Sequence, residues 1–241
     1  MIILGIESAT ESVGAAIGDG QGAGAALSVT GRRRHAENLA PAICQVLERA
    51  GIGLDRVDAI AVDLGPGLFT GLRVGVSTAK GLAQGLGIGV LGVTSLEILA
   101  WAAFETGWPG TVVPVVDGRR SEVFAAHYAR GPGVGQLVEL SAPSRHLPER
   151  VVPDVAALSN EAVLACGDGA LRYRELLGAD RVSVADALAA PDPVALVSLA
   201  AARLEAGAVL KSATDVLPVY LREADARINW VKRAPVSAGG T

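Results

Sequence analysis

The sequence predicts an α/β protein of two related lobes, each a mixed sheet flanked by helices. Short apolar runs alternate with segments of helical period along the whole chain. The order strand, strand, strand, helix, strand, helix is met at the start and again, with different residues, in the second half. Of the 241 residues, 50% are hydrophobic and 19% charged, enough to fill two modest cores and too apolar for a disordered chain. Aromatics make up only 4%, so those cores must be built from Val, Leu, Ile and Ala.

In the first half, Ile2–Ile6, Val13–Ile17 and Ala25–Val29 read as strands separated by Gly or small polar residues. Glu37–Ala50 has helical spacing, with Leu39, Ile43, Val46 and Leu47 on one side, Pro41 in its first turn and Gly51 and Gly53 at its end. Val57–Val62 is a buried strand, Thr70–Leu86 a helix, Val90–Val93 a strand and Ser95–Phe104 a helix. In the second half, Thr111–Val116, Glu122–Tyr128 and Gln136–Leu140 form a meander, and Pro-rich connections fill 143–153. Ala162–Cys166 is a strand, followed by a helix near 169–177, a short strand at 181–184 and a helix at 192–206. The join is expected near ETGWPG, dividing the chain into lobes 1–106 and 107–241, with the tail after about 214 packing back on the body as strand and loop.

Charge and composition exclude several classes of function. The net charge of −4 gives no basic surplus, so any role with nucleic acid needs a local patch or a partner. Cys44 and Cys166 lie apart in apolar stretches and read as small buried hydrophobes rather than a disulfide or zinc framework. The opening MIILGIES has neither a basic stretch nor a cleavage site, and no apolar run reaches the roughly 18 residues of a membrane span; a cytoplasmic protein with no membrane partner is expected.

Two segments carry candidate anion-binding groups. GIESATESV puts Glu7, Ser8 and Thr10 in a turn between strands, where hydroxyls and backbone N–H groups suit a phosphate or simply make a polar turn. LGPGLFTGLRVG places Gly65 and Gly67 in a turn and Thr70 at a helix start, a geometry open to anions but matching neither the GxxxxGK[ST] nor the GxGxxG phosphate loop. Arg73, one turn into the helix, is placed to face an anion or a partner. In the same helix Gly71, Gly75, Ala79, Ala83 and Gly87 fall four apart, as do Ser77, Gly81 and Gly85. Each interior Gly costs about 0.8–1 kcal/mol against Ala, so close approach of the chain's own sheet or of another subunit's helix must compensate. Arg32, Arg33, Arg34 and His35 form a basic run read as a solvated turn or an RNA contact. Neither His35, His127 nor His146 has metal-ligand spacing, and no nucleophile motif accompanies them.

Taken together, GIESATESVGAAI (5–17), RRHAENLAPAI (33–43), GPGLFTGLRVGVSTAKGLA (65–83), GVTSLE (92–97), VVDGRRSEVFAAHY (115–128) and PVYLREA (218–224) resemble the TsaB family over nearly the whole chain. The resemblance implies the two-lobed fold of actin, hexokinase and the heat-shock ATPases. It also implies a role beside a catalytic TsaD-type paralogue and a TsaE-type ATPase, which transfer threonylcarbamoyl to the adenosine next to the anticodon of tRNA. On that basis tRNA is met only through the complex, no cofactor is tightly bound, ATP or ADP belongs at the partner interface, and the chain pairs with itself when the paralogue is absent. Partner-binding residues are then expected on the two helices of the first lobe: Leu39, Ile43, Val46, Leu72, Arg73, Val76, Ala79 and Ala83. The paralogue's two metal-binding histidines correspond to Ser95 and Leu99 in GVTSLEIL, so no catalytic residues and no metal are expected. Leu68 stands where the family turn has Ser, which removes a hydroxyl from the candidate anion site. Two enzymatic alternatives, a nucleotide-dependent kinase or ATPase with Gly167-Asp168-Gly169 as adenosine loop and a peptidase acting on the paralogue, lack supporting motifs.

Overall fold

A computed structural model describes residues 1–20, 22–31, 35–133, 135–156, 161–178 and 181–221. The expected Arg32–Arg34 contact and the end of the PVYLREA segment lie outside the described residues. Strands β1 (Ile3–Glu7), β2 (Ser12–Asp19), β3 (Gly22–Thr30), β4 (Ala59–Asp63) and β5 (Gly89–Val93) form one sheet in the order β3-β2-β1-β4-β5. The first three are an antiparallel meander, and β4 and β5 run parallel to β1. Strands β6 (Thr111–Arg119), β7 (Glu122–Arg130), β8 (Leu137–His146), β9 (Val163–Cys166) and β10 (Val182–Val184) repeat that topology in the order β10-β9-β6-β7-β8. The sequence-predicted pair of mixed sheets is therefore present, each built by the same path.

Helices follow the strands at matching places: α1 (His35–Ala50), α2 (Phe69–Leu86) and α3 (Ser95–Glu105), then α4 (Pro148–Ala156), α5 (Asp168–Arg172), α6 (Arg174–Leu177) and α7 (Pro193–Glu205). In α1, Leu39, Ala42, Ile43 and Val46 recur at helical spacing and sink into the core against Ile6, Val13 and Val62. Leu39, Ile43 and Val46 each contribute about 1.5–3 kcal/mol on full burial. Helix α2 lays Leu72, Val76, Ala79 and Ala83 inward and ends at Gly87, whose left-handed φ of 69° lets its N–H close on the Ala83 carbonyl.

The last helix of each half, α3 and α7, packs across the molecule. From α3, Leu96, Leu99, Ala103 and Phe104 fill the core of the second sheet, while Ile98 and Trp101 join Leu196, Val197 and Ala200 of α7 beneath the first sheet. A capping box starts α3: Thr94 accepts from the Glu97 N–H and the Glu97 carboxylate accepts from the Thr94 N–H. Asp192 caps α7, with Pro193 at its first position.

Four local expectations need correction. Residues 143–153 are not all connection: β8 continues to His146, and Pro148 opens α4, tolerated because its missing N–H would be unpaired there. Pro41 lies inside α1 rather than in its first turn, because the helix begins at His35. The single helix near 169–177 is two short ones, broken at Tyr173. Cys44 is exposed on the outer side of α1, one position past the buried stripe, whereas Cys166 is buried as expected. The chain end after α7 runs back along α2. Lys211 bridges to Val90, Val216 is buried, and the Val219 N–H donates to the Leu64 carbonyl at 2.7 Å. Among the described residues it contains a 3-10 turn at Ala213–Asp215 and no strand.

Candidate functional site

The two turns singled out in the sequence meet at the C-terminal ends of β1 and β4. The Ser8 hydroxyl donates to the Gly71 carbonyl at 2.9 Å, and the Leu68 N–H donates to the Ala9 carbonyl at 2.6 Å. A Cβ on Gly67 would stand 2.1 Å from the Ala9 carbonyl oxygen, and one on Gly71 2.1 Å from that of Ser8, so both positions exclude any side chain. Thr10 gives its carbonyl to His35 Nε2 at 2.7 Å and its hydroxyl to the Ser12 N–H at 3.3 Å. Glu7, Ser8 and Thr10 are buried, and the Gly65 N–H is taken by Asp63 at 2.7 Å; of the candidate anion-binding residues only Thr70 is exposed. The sequence offered these segments as separate candidates; the fold brings them together, and they spend their polar groups on one another.

Beneath this junction lies a buried acidic pair, Glu7 and Asp63, at the ends of the neighbouring parallel strands β1 and β4. Asp63 accepts from the Ser95 hydroxyl at 2.7 and 2.9 Å. Burial pushes its carboxyl up to about 7, against those hydrogen bonds. Burial and then the Asp63 charge hold Glu7 well above the ordinary carboxylate range. The sequence marked Asp63 only as the end of a strand; the pairing across strands gave no local signal.

The eight expected partner-binding residues divide sharply. Leu39, Ile43, Val46, Leu72, Val76, Ala79 and Ala83 are at most 5% exposed and form the chain's own core, so as surface residues they are corrected. Arg73 alone faces outward, its guanidinium 3.8 Å above the Phe69 ring, which in turn packs on Tyr220 at 5.2 Å. The open face of α2 consists of Thr70, Arg73, Ser77, Gly81, Gln84 and Gly85. The two glycine series seen in the sequence thus have different causes. Gly71 and Gly75 let the β1–β2 turn press against the helix, whereas a Cβ on Gly81 or Gly85 would meet nothing within 4 Å. A cavity of about 760 Å³ opens beside this face, lined by Glu11, His35, Leu68, Phe69, Thr70 and Arg119 among others.

Across that cavity stands the β6–β7 turn. Asp117 Oδ2 lies 3.0 Å from both Arg119 Nη1 and Arg172 Nη1, and the Asp117 N–H donates to Asp168 Oδ1 at 2.9 Å. Burial, then the nearby Asp117 charge, raises the Asp168 carboxyl. The Gly167–Gly169 segment is the entry to α5, with Gly169 buried against Val115, not an open loop.

The positions of the paralogue's metal ligands do not fit a metal. The Ser95 hydroxyl is committed to Asp63, and Leu99 is fully buried among Phe104, Val112 and Val116. No group of three or more His, Cys, Asp or Glu among the described residues could hold one.

A family model described as "TsaD: tRNA N6-adenosine threonylcarbamoyltransferase" matches residues 29–230. The tRNA threonylcarbamoyladenosine biosynthesis protein TsaB of Escherichia coli is 32% identical over 164 residues, 68% of this chain and 70% of its relative. The chain belongs to the TsaB family. The Haemophilus influenzae TsaB is 29% identical over 240 residues, spanning 96% of this chain and 97% of its own length. The solved structure of YeaZ from Pseudomonas aeruginosa superposes with a TM-score of 0.80 at 31% identity, over 91% of this chain and 99% of that one. These relatives place the chain in the family of tRNA threonylcarbamoyladenosine biosynthesis proteins and in the fold of YeaZ. No helix among the described residues is long and apolar enough to cross a membrane.

Proposed function

We propose that this TsaB-family chain is a non-catalytic subunit that binds a TsaD-type paralogue through the outer face of α2, flanked by α1, and activates it for threonylcarbamoyl transfer to tRNA. The observation that carries this reading is the empty space over Gly81 and Gly85. Two glycines inside a helix cost about 0.8–1 kcal/mol each relative to Ala. At Gly71 and Gly75 the close approach of the β1–β2 turn compensates. At Gly81 and Gly85 nothing in the described chain does, and a second helix lying against the stripe would. Phe69, Arg73 and Tyr220 at the head of the face have the residue types that anchor protein interfaces.

The chain's own chemistry supports a non-catalytic role. Ser95 and Leu99 replace the paralogue's metal ligands, Asp63 is tied to Gly65 and Ser95, and Asp117 is neutralised by Arg119 and Arg172. With a net charge of −4, contact with tRNA is made through the complex. The same face pairs two copies of the chain when the paralogue is absent. A TsaE-type ATPase joins the assembled pair, and ATP or ADP sits at its interface.

The test is reconstitution of tRNA labelling from threonine using the paralogue, the ATPase, the enzyme that makes the adenylate, and unmodified tRNA. Label is expected only when this chain is present, and Gly81→Leu with Gly85→Leu should abolish both pairing and labelling without unfolding the chain. Equal labelling without the chain would refute the reading.

A further inference from the structure

The two halves of the molecule handle buried acid differently. In the second sheet, Asp117 near the end of β6 corresponds to Glu7 at the end of β1, and two guanidiniums lie 3.0 Å from its Oδ2. In the first sheet no cation among the described residues is hydrogen-bonded or ion-paired to Glu7 or Asp63. Glu7 is fully buried; its Oε1 accepts from the Ala9 N–H at 2.7 Å, and its Oε2 has no hydrogen-bond partner. Asp63, 1% exposed, receives only the Gly65 N–H and the Ser95 hydroxyl among the described groups.

Each element around the pair adds polar or charged neighbours, and the Arg203 cation among them is held by Glu97. The β1–β2 turn brings Ser8 and Thr10, whose hydroxyls bond to backbone groups. From α1 comes His35, with Nε2 on the Thr10 carbonyl. From α3 come Ser95 and Glu97, the latter held by Arg203 of α7 at 2.6 Å. Asp192, at the start of α7, caps the Val194 N–H. Two buried carboxylates with no cation bonded to them among the described residues, one of them with an undonated oxygen, would be an uncompensated charge in the core. The least costly compensation is a proton.

We propose that Glu7 and Asp63 hold one proton between them in the folded chain, and that its loss is an alkaline switch built into the entry of α2. Asp63 anchors the Gly65 N–H, Gly65 gives its carbonyl to the Ser95 N–H at 2.8 Å, and Leu64 gives its carbonyl to Val219. Repulsion within the ionised pair therefore acts on the turn that aims α2, and on Phe69 and Tyr220 beside it. Both carboxyls are raised in the folded state, so it binds the proton more tightly than the unfolded chain does. Their stabilising contribution is complete below the unfolded range near 4. It is lost as pH rises through the folded value, about 7 for Asp63.

Glu7→Gln keeps the shape and removes the charge. The infrared difference spectrum, wild type minus Glu7→Gln, at about pH 6 should contain the carbonyl band of a protonated carboxylic acid, and raising the pH to about 9 should remove it. Over the same interval the wild-type melting temperature should fall relative to that of the variant. Asp63→Asn provides the same comparison should Glu7→Gln fail to fold. Absence of the band near pH 6, or parallel melting profiles for wild type and variant, would overturn the shared proton. Neither measurement involves a partner, so failure here is distinct from failure of the docking reading.

Discussion

Arg119 Nη2 donates to Glu11 Oε1 at 2.9 Å, joining the β6–β7 turn of the second sheet to the β1–β2 turn of the first. The same guanidinium holds Asp117 through Nη1 at 3.0 Å. The turn that presents it is strained: Arg119, Arg120 and Ser121 all have left-handed φ, at 61°, 56° and 60°. Such residues cost roughly 1–2 kcal/mol each, so the ties made by this turn have a penalty to offset.

Arg119 and Glu11 side chains are 42% and 48% exposed, and the tie between them is correspondingly weak. A double-mutant cycle in urea should give a coupling of about 0.2–1 kcal/mol. Arg119→Ala should cost more than Glu11→Ala, because the Asp117 side chain is 3% exposed and would lose one of the two guanidiniums that lie 3.0 Å from its Oδ2. Equal losses would mean that Arg119 does nothing for Asp117.

Glycine substitutions along α2 should have opposite signs. Gly71→Ala drives a methyl into the Ser8 carbonyl and should destabilise the isolated chain, displacing the β1–β2 turn. Gly81→Ala adds a methyl in open space and should stabilise the isolated chain by about 0.8–1 kcal/mol through helix propensity. Calorimetric melting checks both, and binding of Gly81→Ala to the paralogue should weaken while its melting temperature rises.

Val76→Glu is an attractive interface variant on sequence grounds, expected to separate partners and leave the monomer folded. The structure reverses that expectation. Val76 is 3% exposed among the core residues of the first sheet, so a carboxylate there would be buried without a partner. Loss of the folded chain itself, by circular dichroism and size exclusion, is the expected result, and a folded monomer would show that α2 can rotate away from its sheet.

The two cysteines should differ in reactivity. Cys44 is exposed on the outer side of α1 and should react with a disulfide reagent in the native chain. Cys166 is buried, burial pushes its thiol up, and it should react only after unfolding. Slower labelling of Cys44 in the presence of the paralogue would place α1 in the contact as well.

Much of the fold was legible because it is written locally. The inward series Leu39, Ile43 and Val46 has a helix period, and the β1–β2–β3 meander is marked by Gly and small polar breaks. Where local signals conflicted, reading failed: Pro148 and Pro153 suggested connection, yet α4 forms over them because Pro148 takes the first helical position and Val151 is buried against the second sheet. The candidate site was legible in its segments and illegible in its faces. The small-residue spacing of α2 announced a close contact, but two interleaved stripes share that spacing, and only the packing shows that Gly71 and Gly75 serve the chain itself.

By itself the sequence determined the two-sheet α/β architecture, the family, and the loss of the paralogue's metal ligands at Ser95 and Leu99, since each is a matter of residue type at a position along the chain. Tertiary structure decided which side of α1 and α2 is open, that Glu7 and Asp63 are buried at the ends of neighbouring strands, and that Arg119 reaches Glu11. The reason is physical: helix period shows that a helix has an apolar side but not whether its own sheet or a partner covers it. The charge of the buried Glu7 is likewise set by burial and by Asp63 on the neighbouring strand, brought close only when the sheet forms.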